Sequence, residues 1–417
     1  MNAERLTRIN PFKPEQPASP IYFAGRTKEI HTAVRCISQT YHGNSKNMLI
    51  LGERGIGKTS LAFWVKYIAE KHETPNPLNL DFNFLVSFNQ LKAKMTQNDV
   101  IQMLANDLKN LTLKTGLGRA REFFDSEIKS LSIGNLFSLE RKEKPINLDL
   151  DFAHYLEGIW DRIRDQYHGI IIILDEFEQL AGLEGFASFW KSLYEKLVID
   201  GYQRIMFVFV GLSRKLDPFF EDHPSVVRLF DHVEVSLMTP EESAEVIQKA
   251  LAQTKPVVTI DPRAQDAIIH FSGGYPQFIQ ELGHAAFEMD QDNHLSHEDF
   301  IRGIFGDKSH EGAIKQLGRK LFDKMYLQDI GSDTYRRILS AIAKNEKETI
   351  TRNEISAKSG IPQKTVGTYL RNMIARSILV KEGRGQYRLV NRLFGVYIAL
   401  YEKNLENSKK LPLLEKE

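Results

Sequence analysis

Gly52-Glu53-Arg54-Gly55-Ile56-Gly57-Lys58-Thr59 fits the pattern G-x-x-x-x-G-K-[ST] at every position. Residues 46–51 before it read as a short buried strand, and residues 58–72 after it as a helix ending near Pro75. A strand–turn–helix setting is the context in which this pattern has a mechanism. Its glycines let backbone N–H groups curl round phosphates, and the helix N-terminus adds the positive end of its dipole. Lys58 is then expected to bridge the β- and γ-phosphates of ATP, and the Thr59 hydroxyl to ligate Mg²⁺. Gly52, Glu53, Arg54, Gly55, Ile56, Gly57, Lys58, Thr59 and the adjoining Ser60 are the resulting cofactor-binding candidates. The plain alternative is a Gly-rich turn before an ordinary helix, with Lys58 exposed.

Further along, Ile170-Ile171-Ile172-Ile173-Leu174 reads as a strand apolar on both faces, and it ends in Asp175-Glu176. Ligands of α/β sheets gather at the carboxyl ends of the strands. Asp175 is expected to hold Mg²⁺ through water. Glu176 is placed to polarise an attacking water, which separates hydrolysis from mere binding. Alternatively both acids cap the next helix. The expected arrangement is a triphosphate gripped between the glycine turn and a carboxylate pair on an adjoining buried strand. Residues 204–210 form a third apolar strand, followed by Gly211-Leu212-Ser213-Arg214. Were it next to the glycine-loop strand, Ser213 or Arg214 would reach the γ-phosphate; otherwise this is a surface turn with a solvated arginine. Arg228 is a second sensor candidate, acting across a subunit interface, or a partner in a surface ion pair.

These strands alternate with helices read at Thr27 to about Tyr41, 97–111, 152–167 and 186–197, with a further strand at 82–88. That alternation marks a parallel sheet covered on both faces. Residues 10–21 hold four prolines and read as an extended arm, 116–150 as an insertion with a hairpin near Gly134-Asn135, and 240–305 as helical throughout. The expected class is α/β: a P-loop parallel sheet with helices on both faces, then a helical lid and a winged helix. The boundaries are 1–26 for the arm, 27–238 for the core, 239–330 for the lid, 331–405 for the winged helix and 406–417 for a charged tail. A chain of 417 residues is too long for one comfortable core. Its single cysteine, Cys36, forms no internal disulfide. The longest apolar run has six residues, Ile205–Val210, short of the roughly 20 that span a membrane. With no signal peptide evident either, the expected compartment is the cytoplasm.

Net charge is +1 overall, yet residues 333–401 carry 13 Lys/Arg against five Asp/Glu. Within them Thr351 and Glu354 make a capping box, Ser359-Gly360-Ile361-Pro362 a turn, and 363–377 a second helix. On that helix Val366, Tyr369, Leu370, Met373 and Ile374 share an apolar face, leaving Lys364, Thr365, Thr368 and Arg371 outward. Residues 379–389 read as a two-stranded wing carrying Arg384 and Arg388. In helix-turn-helix folds the second helix enters the major groove and wing arginines meet phosphate. DNA contact through these six residues and pure protein packing both remain open, the local charge leaning towards DNA.

Together the glycine loop and the Asp175-Glu176 pair resemble the AAA+ superfamily, in its signal-transducing (STAND) and origin-recognition-like branch. Phe23-Ala24-Gly25-Arg26-Thr27-Lys28-Glu29 resembles that branch's entry segment, which implies that Phe23 and Arg26 pack beside the adenine. Ser213-Arg214 resembles the end of its sensor strand. Gly273-Gly274-Tyr275-Pro276 resembles the Gly-x-Pro turn of its lid, implying that Pro276 approaches the nucleotide. The segment 387–401 resembles the end of its winged helix. Many AAA+ motors carry a lid arginine that is missing near Gly273–Pro276, which favours a slowly hydrolysing switch over a fast ring. No Asn-Lys-x-Asp motif is present, so ATP is expected rather than GTP.

Two functions follow. One is an ATP- and Mg²⁺-dependent switch whose nucleotide state controls DNA binding and self-association. The other is a signalling or scaffold protein that holds nucleotide structurally and binds a protein effector through its last domain. Neither involves a membrane.

Overall fold

A computed structural model describes residues 8–72, 81–116, 148–180, 182–213, 224–307, 311–318, 332–345, 349–376, 378–383, 385–390 and 392–410, with single positions between them. Most of the insertion expected over 116–150, including its hairpin, lies outside them, as does the end of the tail. The chain divides into two compact units: Pro17–Ser236, and Met1–Gln16 joined with Leu237–Glu417.

In the first unit the elements run α1 (Thr27–Tyr41), β1 (Asn47–Leu51), α2 (Lys58–Ala69), β2 (Leu85–Gln90), α3 (Gln97–Lys114), α4 (Leu148–Ile163), β3 (Ile170–Asp175), α5 (Phe186–Ile199), β4 (Ile205–Gly211), α6 (Pro224–Val227) and β5 (Phe230–Glu234). All strand pairs are parallel, in the order β2-β3-β4-β1-β5. β1, β3 and β4 are buried along their whole length, as strands covered on both faces must be. β5 was not foreseen: in Phe230-Asp231-His232-Val233-Glu234 only Phe230 and Val233 are buried, and the strand lies at the edge of the sheet. The adjoining-strand expectation is corrected by the order: β4 separates β3 from β1, so the loop and the acidic pair come from strands one apart. The core gathers Leu49, Leu104, Tyr155, Ile172, Trp190 and Phe207.

The second unit continues with α7 (Pro240–Leu251), β6 (Thr259–Ile260), α8 (Pro262–Ser272), α9 (Pro276–Met289), β7 (His294–Leu295), α10 (His297–Phe305), α11 (Ala313–Leu317), α12 (Asp333–Ala343), β8 (Ile350–Thr351), α13 (Arg352–Ser359), α14 (Gln363–Ala375), β9 (Leu379–Glu382), β10 (Gln386–Leu389) and α15 (Arg392–Lys410). Capping boxes at Thr239/Glu242, Ser296/Asp299 and Thr351/Glu354 start α7, α10 and α13. The stretch read as wholly helical contains the parallel pair β6–β7. β8, β10 and β9 form an antiparallel sheet in that order. α15 extends the chain as helix through Lys410, beyond the boundary read at 405. One continuous core runs through the whole unit, from Ile247 and Leu282 to Leu370 and Ile398, so the regions read as lid and last domain are not separate by packing.

The N-terminal arm divides at 16/17. Its first part lies along α9: Asn10 Nδ2 donates to His284 O at 3.1 Å, and Lys13 N to Gln280 Oε1 at 2.8 Å. The Arg8 guanidinium pairs with Asp290 and lies 4.0 Å from the Phe287 ring centre. Phe12 is 1% exposed and seated on Gly283, where a Cβ would stand 2.5 Å from its ring. Phe12→Ala is expected to destabilise this unit by about 3–5 kcal/mol, read by chemical denaturation. A loss below about 1 kcal/mol would mean that the arm is not part of the core.

Candidate nucleotide site

β1 delivers the chain to Gly52, whose backbone runs against the neighbouring segment: a Cβ there would lie 2.7 Å from Val235 O. Gly55 (φ 78°) and Gly57 (φ 97°) occupy the left-handed region that favours glycine, and Gly57 is the residue before α2 begins. The loop thus ends on a helix N-terminus with unpaired backbone N–H groups, an anion site by construction.

Lys58 Nζ donates to Glu53 O at 2.9 Å, folding the side chain over the loop. Burial pushes the Lys58 ammonium below its ordinary pKa, and the carboxylates of Glu178, Asp175, Glu176 and Glu53 work against that. Thr59 Oγ1 donates to Asp175 Oδ2 at 2.8 Å, joining the loop to the end of β3 across 116 residues of sequence. Asp175 is 3% exposed. Its carboxyl is raised above the usual range by burial, opposed by the bonds from Thr59 and from Glu176 N, the latter 2.9 Å long. A buried carboxylate beside a hydroxyl is an oxygen donor set of the kind Mg²⁺ takes, and a cation there would relieve the desolvation. Among the described residues no cluster of three or more His, Cys, Asp or Glu side chains suits a metal. Any Mg²⁺ held by Thr59 and Asp175 must therefore complete its shell with phosphate and water.

Glu176 follows with φ 60°, a left-handed turn that opens a 3₁₀ helix over Phe177–Gln179. Glu178, absent from the sequence reading, belongs to the same place. Its Oε2 accepts from Leu212 N at 3.2 Å, so it ties β3 to the end of β4. Burial raises its carboxyl, and the nearby Glu176 carboxylate raises it further. Its position three residues after Asp175, on one short turn, was the available signal.

The other candidates are placed as follows. β4 is the neighbour of β1, so Ser213 lies at the loop end of the sheet, where its Oγ donates to Glu234 Oε1 at 3.1 Å. Arg214 lies outside the described residues. Arg228 precedes β5, whose first residue pairs with the first of β1. It therefore sits at the opposite end of the sheet, roughly 15 Å of strand from the loop. Phe23 is half-buried, its ring 6.1 Å from that of Trp64. Arg26 is buried, and its guanidinium donates to Ile56 O at 2.7 Å and to Ser236 O, with Glu29 3.5 Å away. Glu53 and Arg54 are exposed on the loop. Ser60 Oγ accepts from Ala18 N at 3.0 Å. Pro276 opens α9 in the second unit.

On α14, Lys364, Thr368 and Arg371 are exposed and Thr365 is half-buried. Arg388 is committed within its hairpin, pairing with Glu382 and donating to Leu389 O at 3.3 Å. Arg384 lies outside the described residues.

Neither a protein-family model nor a curated protein sequence matches the chain. Solved structures do. The chain is similar to the Walker-type ATPase of Pyrococcus abyssi, at 17% identity over 90% of this chain and 96% of that one, with a TM-score of 0.55. It is also similar to the ORC2 protein of Aeropyrum pernix, solved with ADPNP and ADP, at 15% identity over 97% and 99% of the two chains, with a TM-score of 0.54.

Proposed function

We propose that this chain, which has the fold of the origin-recognition-like AAA+ P-loop ATPases, is itself an ATP-binding, slowly hydrolysing switch whose nucleotide state governs DNA binding and self-association. One observation carries the nucleotide part: the Thr59–Asp175 bond, which brings the loop and the acidic strand end to one point beside Lys58. Loop N–H groups and Lys58 hold the β- and γ-phosphates. Thr59 and Asp175 hold Mg²⁺, which draws charge from the phosphate oxygens when bound. Glu176 takes the proton of the attacking water, and Ser213, at the end of β4, reports the γ-phosphate through Glu234. Without an arginine near Gly273–Pro276, turnover is slow. Calorimetric titration with ATP and Mg²⁺ tests this; no measurable uptake by folded protein removes it.

The DNA part rests on the second unit. The element order α12, β8, α13, α14, β9, β10 and the sheet order β8-β10-β9 support reading residues 331–405 as a winged helix. Exposed Lys364, Thr368 and Arg371 line the outer side of α14, in the segment with a balance of +8. Arg371→Ala with Arg384→Ala is expected to weaken duplex DNA binding while basal ATPase stays intact. It should also flatten the plot of log affinity against log salt by about 2, two phosphate contacts at ~0.9 each. An unchanged slope assigns this face to a protein partner instead. That second reading has its own support: Arg388 is engaged inside its hairpin by Glu382 and Leu389 O.

A further inference from the structure

Arg26 holds backbone carbonyls at and beside the loop. It is 2% exposed, in the left-handed region (φ 64°), and its guanidinium spans two carbonyls. One is Ile56 O inside the phosphate loop, at 2.7 Å; the other is Ser236 O, the last residue of the P-loop unit. A peptide unit is planar, with its C=O and N–H pointing opposite ways. Holding Ile56 O on Arg26 therefore fixes the N–H of the same peptide, that of Gly57, pointing away from Arg26. Free loops must order such donors when an anion arrives; here the ordering is done beforehand.

The same guanidinium fastens that peptide to the point where the chain leaves the core. Two independent contacts point the same way. Val235 N donates to Leu51 O at 2.7 Å, and its carbonyl is the group that excludes a side chain at Gly52. At the other crossing between the units, 16/17, Ala18 N bonds to Ser60 Oγ on the first turn of α2. The 16/17 connection is thus bonded to α2, and the 236/237 connection to the end of β1 and, through Arg26, to the loop.

Resting on the nucleotide reading above, we propose that Arg26 is a positioning residue that pre-aims the Gly57 N–H at the phosphate and transmits loop occupancy to Ser236. Burying a guanidinium costs free energy that two carbonyls and Glu29 offset only while this geometry is kept. A change in the loop peptide therefore shifts the bond to Ile56 O and, with it, the guanidinium that also holds Ser236 O.

The test uses the full chain and Arg26→Lys, which keeps the charge and the aliphatic stem but not a fork able to span both carbonyls. ATP affinity is measured by titration with Mg²⁺, and amide exchange is followed at residues 47–51, 55–60 and 235–238. The unaltered chain should slow exchange at both 55–60 and 235–238 when saturated. Arg26→Lys should bind about tenfold more weakly, the loss of one charge-assisted bond, and keep native protection at 47–51. Once saturated, it should respond at 55–60 but no longer at 235–238. An affinity within twofold of the unaltered chain, or a retained response at 235–238, overturns the proposal. So does an unaltered chain that binds ATP without any change at 235–238, whatever the variant does. If the unaltered chain takes up no ATP, the nucleotide reading fails first.

Discussion

Glu176→Gln is expected to bind ATP with Mg²⁺ as tightly as the unaltered chain and to turn it over ~10²–10⁴-fold more slowly. Glutamine keeps the length and hydrogen-bonding reach of the side chain but cannot accept the proton that an attacking water must lose. The backbone argues for a clean substitution: position 176 sits at φ 60°, and neither residue is branched at Cβ, so the strain there is nearly the same for both. The Glu176 N–H bond to Asp175 Oδ1 is a backbone donation and survives the change. Thr59 and Asp175 therefore stay in place, and binding and chemistry separate. Phosphate release in single turnover, with binding followed by a fluorescent ATP analogue, reads the two independently. Turnover within about threefold of the unaltered chain would remove Glu176 from its role as base and turn attention to Glu178. That carboxyl is raised by burial and already engaged by Leu212 N.

Parts of this molecule are legible locally and parts are not, for a physical reason. β1, β3 and β4 announce themselves because strands covered on both faces are apolar along nearly their whole length, with only Asn47 and Asp175 polar at the ends. Lys58 and Thr59 are equally plain, because the pattern fixes their spacing from the glycines, and Asp175 because it ends an apolar strand. β5 is hidden because an edge strand is half open, and Asp231 and Glu234 break its apolar run. The same holds for β6, whose two residues are too few to show any period. Strand order is a further step removed: nothing in Ile170–Asp175 tells that β4 comes between it and β1. Arg26 shows the limit most sharply. The resemblance implies a base contact for it, while the bonds to main-chain carbonyls 30 and 210 positions away could not be read, because carbonyls leave no mark on composition. Phe12 is similar, since a phenylalanine among prolines reads as part of an arm until α9 supplies Gly283 beneath it.

Lys58→Ala is expected to raise the dissociation constant for ATP with Mg²⁺ at least ~10²-fold. Two charge-assisted contacts, to the β- and γ-phosphates, are each worth about 1.5–3 kcal/mol, and every 1.4 kcal/mol is tenfold. Electrostatics add to this, because the ammonium is the group that faces the carboxylates of Glu178, Asp175 and Glu176. Without it, a triphosphate meets three like charges with only backbone dipoles and Mg²⁺ to offset them. The empty protein should be little affected: burial already opposes the charge of Lys58, and the bond lost is an exposed one to Glu53 O. Thermal melting can therefore separate a site effect from a folding effect. At a ligand concentration of about 100 times the dissociation constant, binding adds about 2.7 kcal/mol to the stability of the unaltered chain. At the same concentration the variant, bound ~10²-fold more weakly, should gain only about 0.4 kcal/mol. Equal melting temperatures without nucleotide and a nearly absent shift with it is the expected pair of results. A shift as large as that of the unaltered chain would show that Lys58 does not hold phosphate.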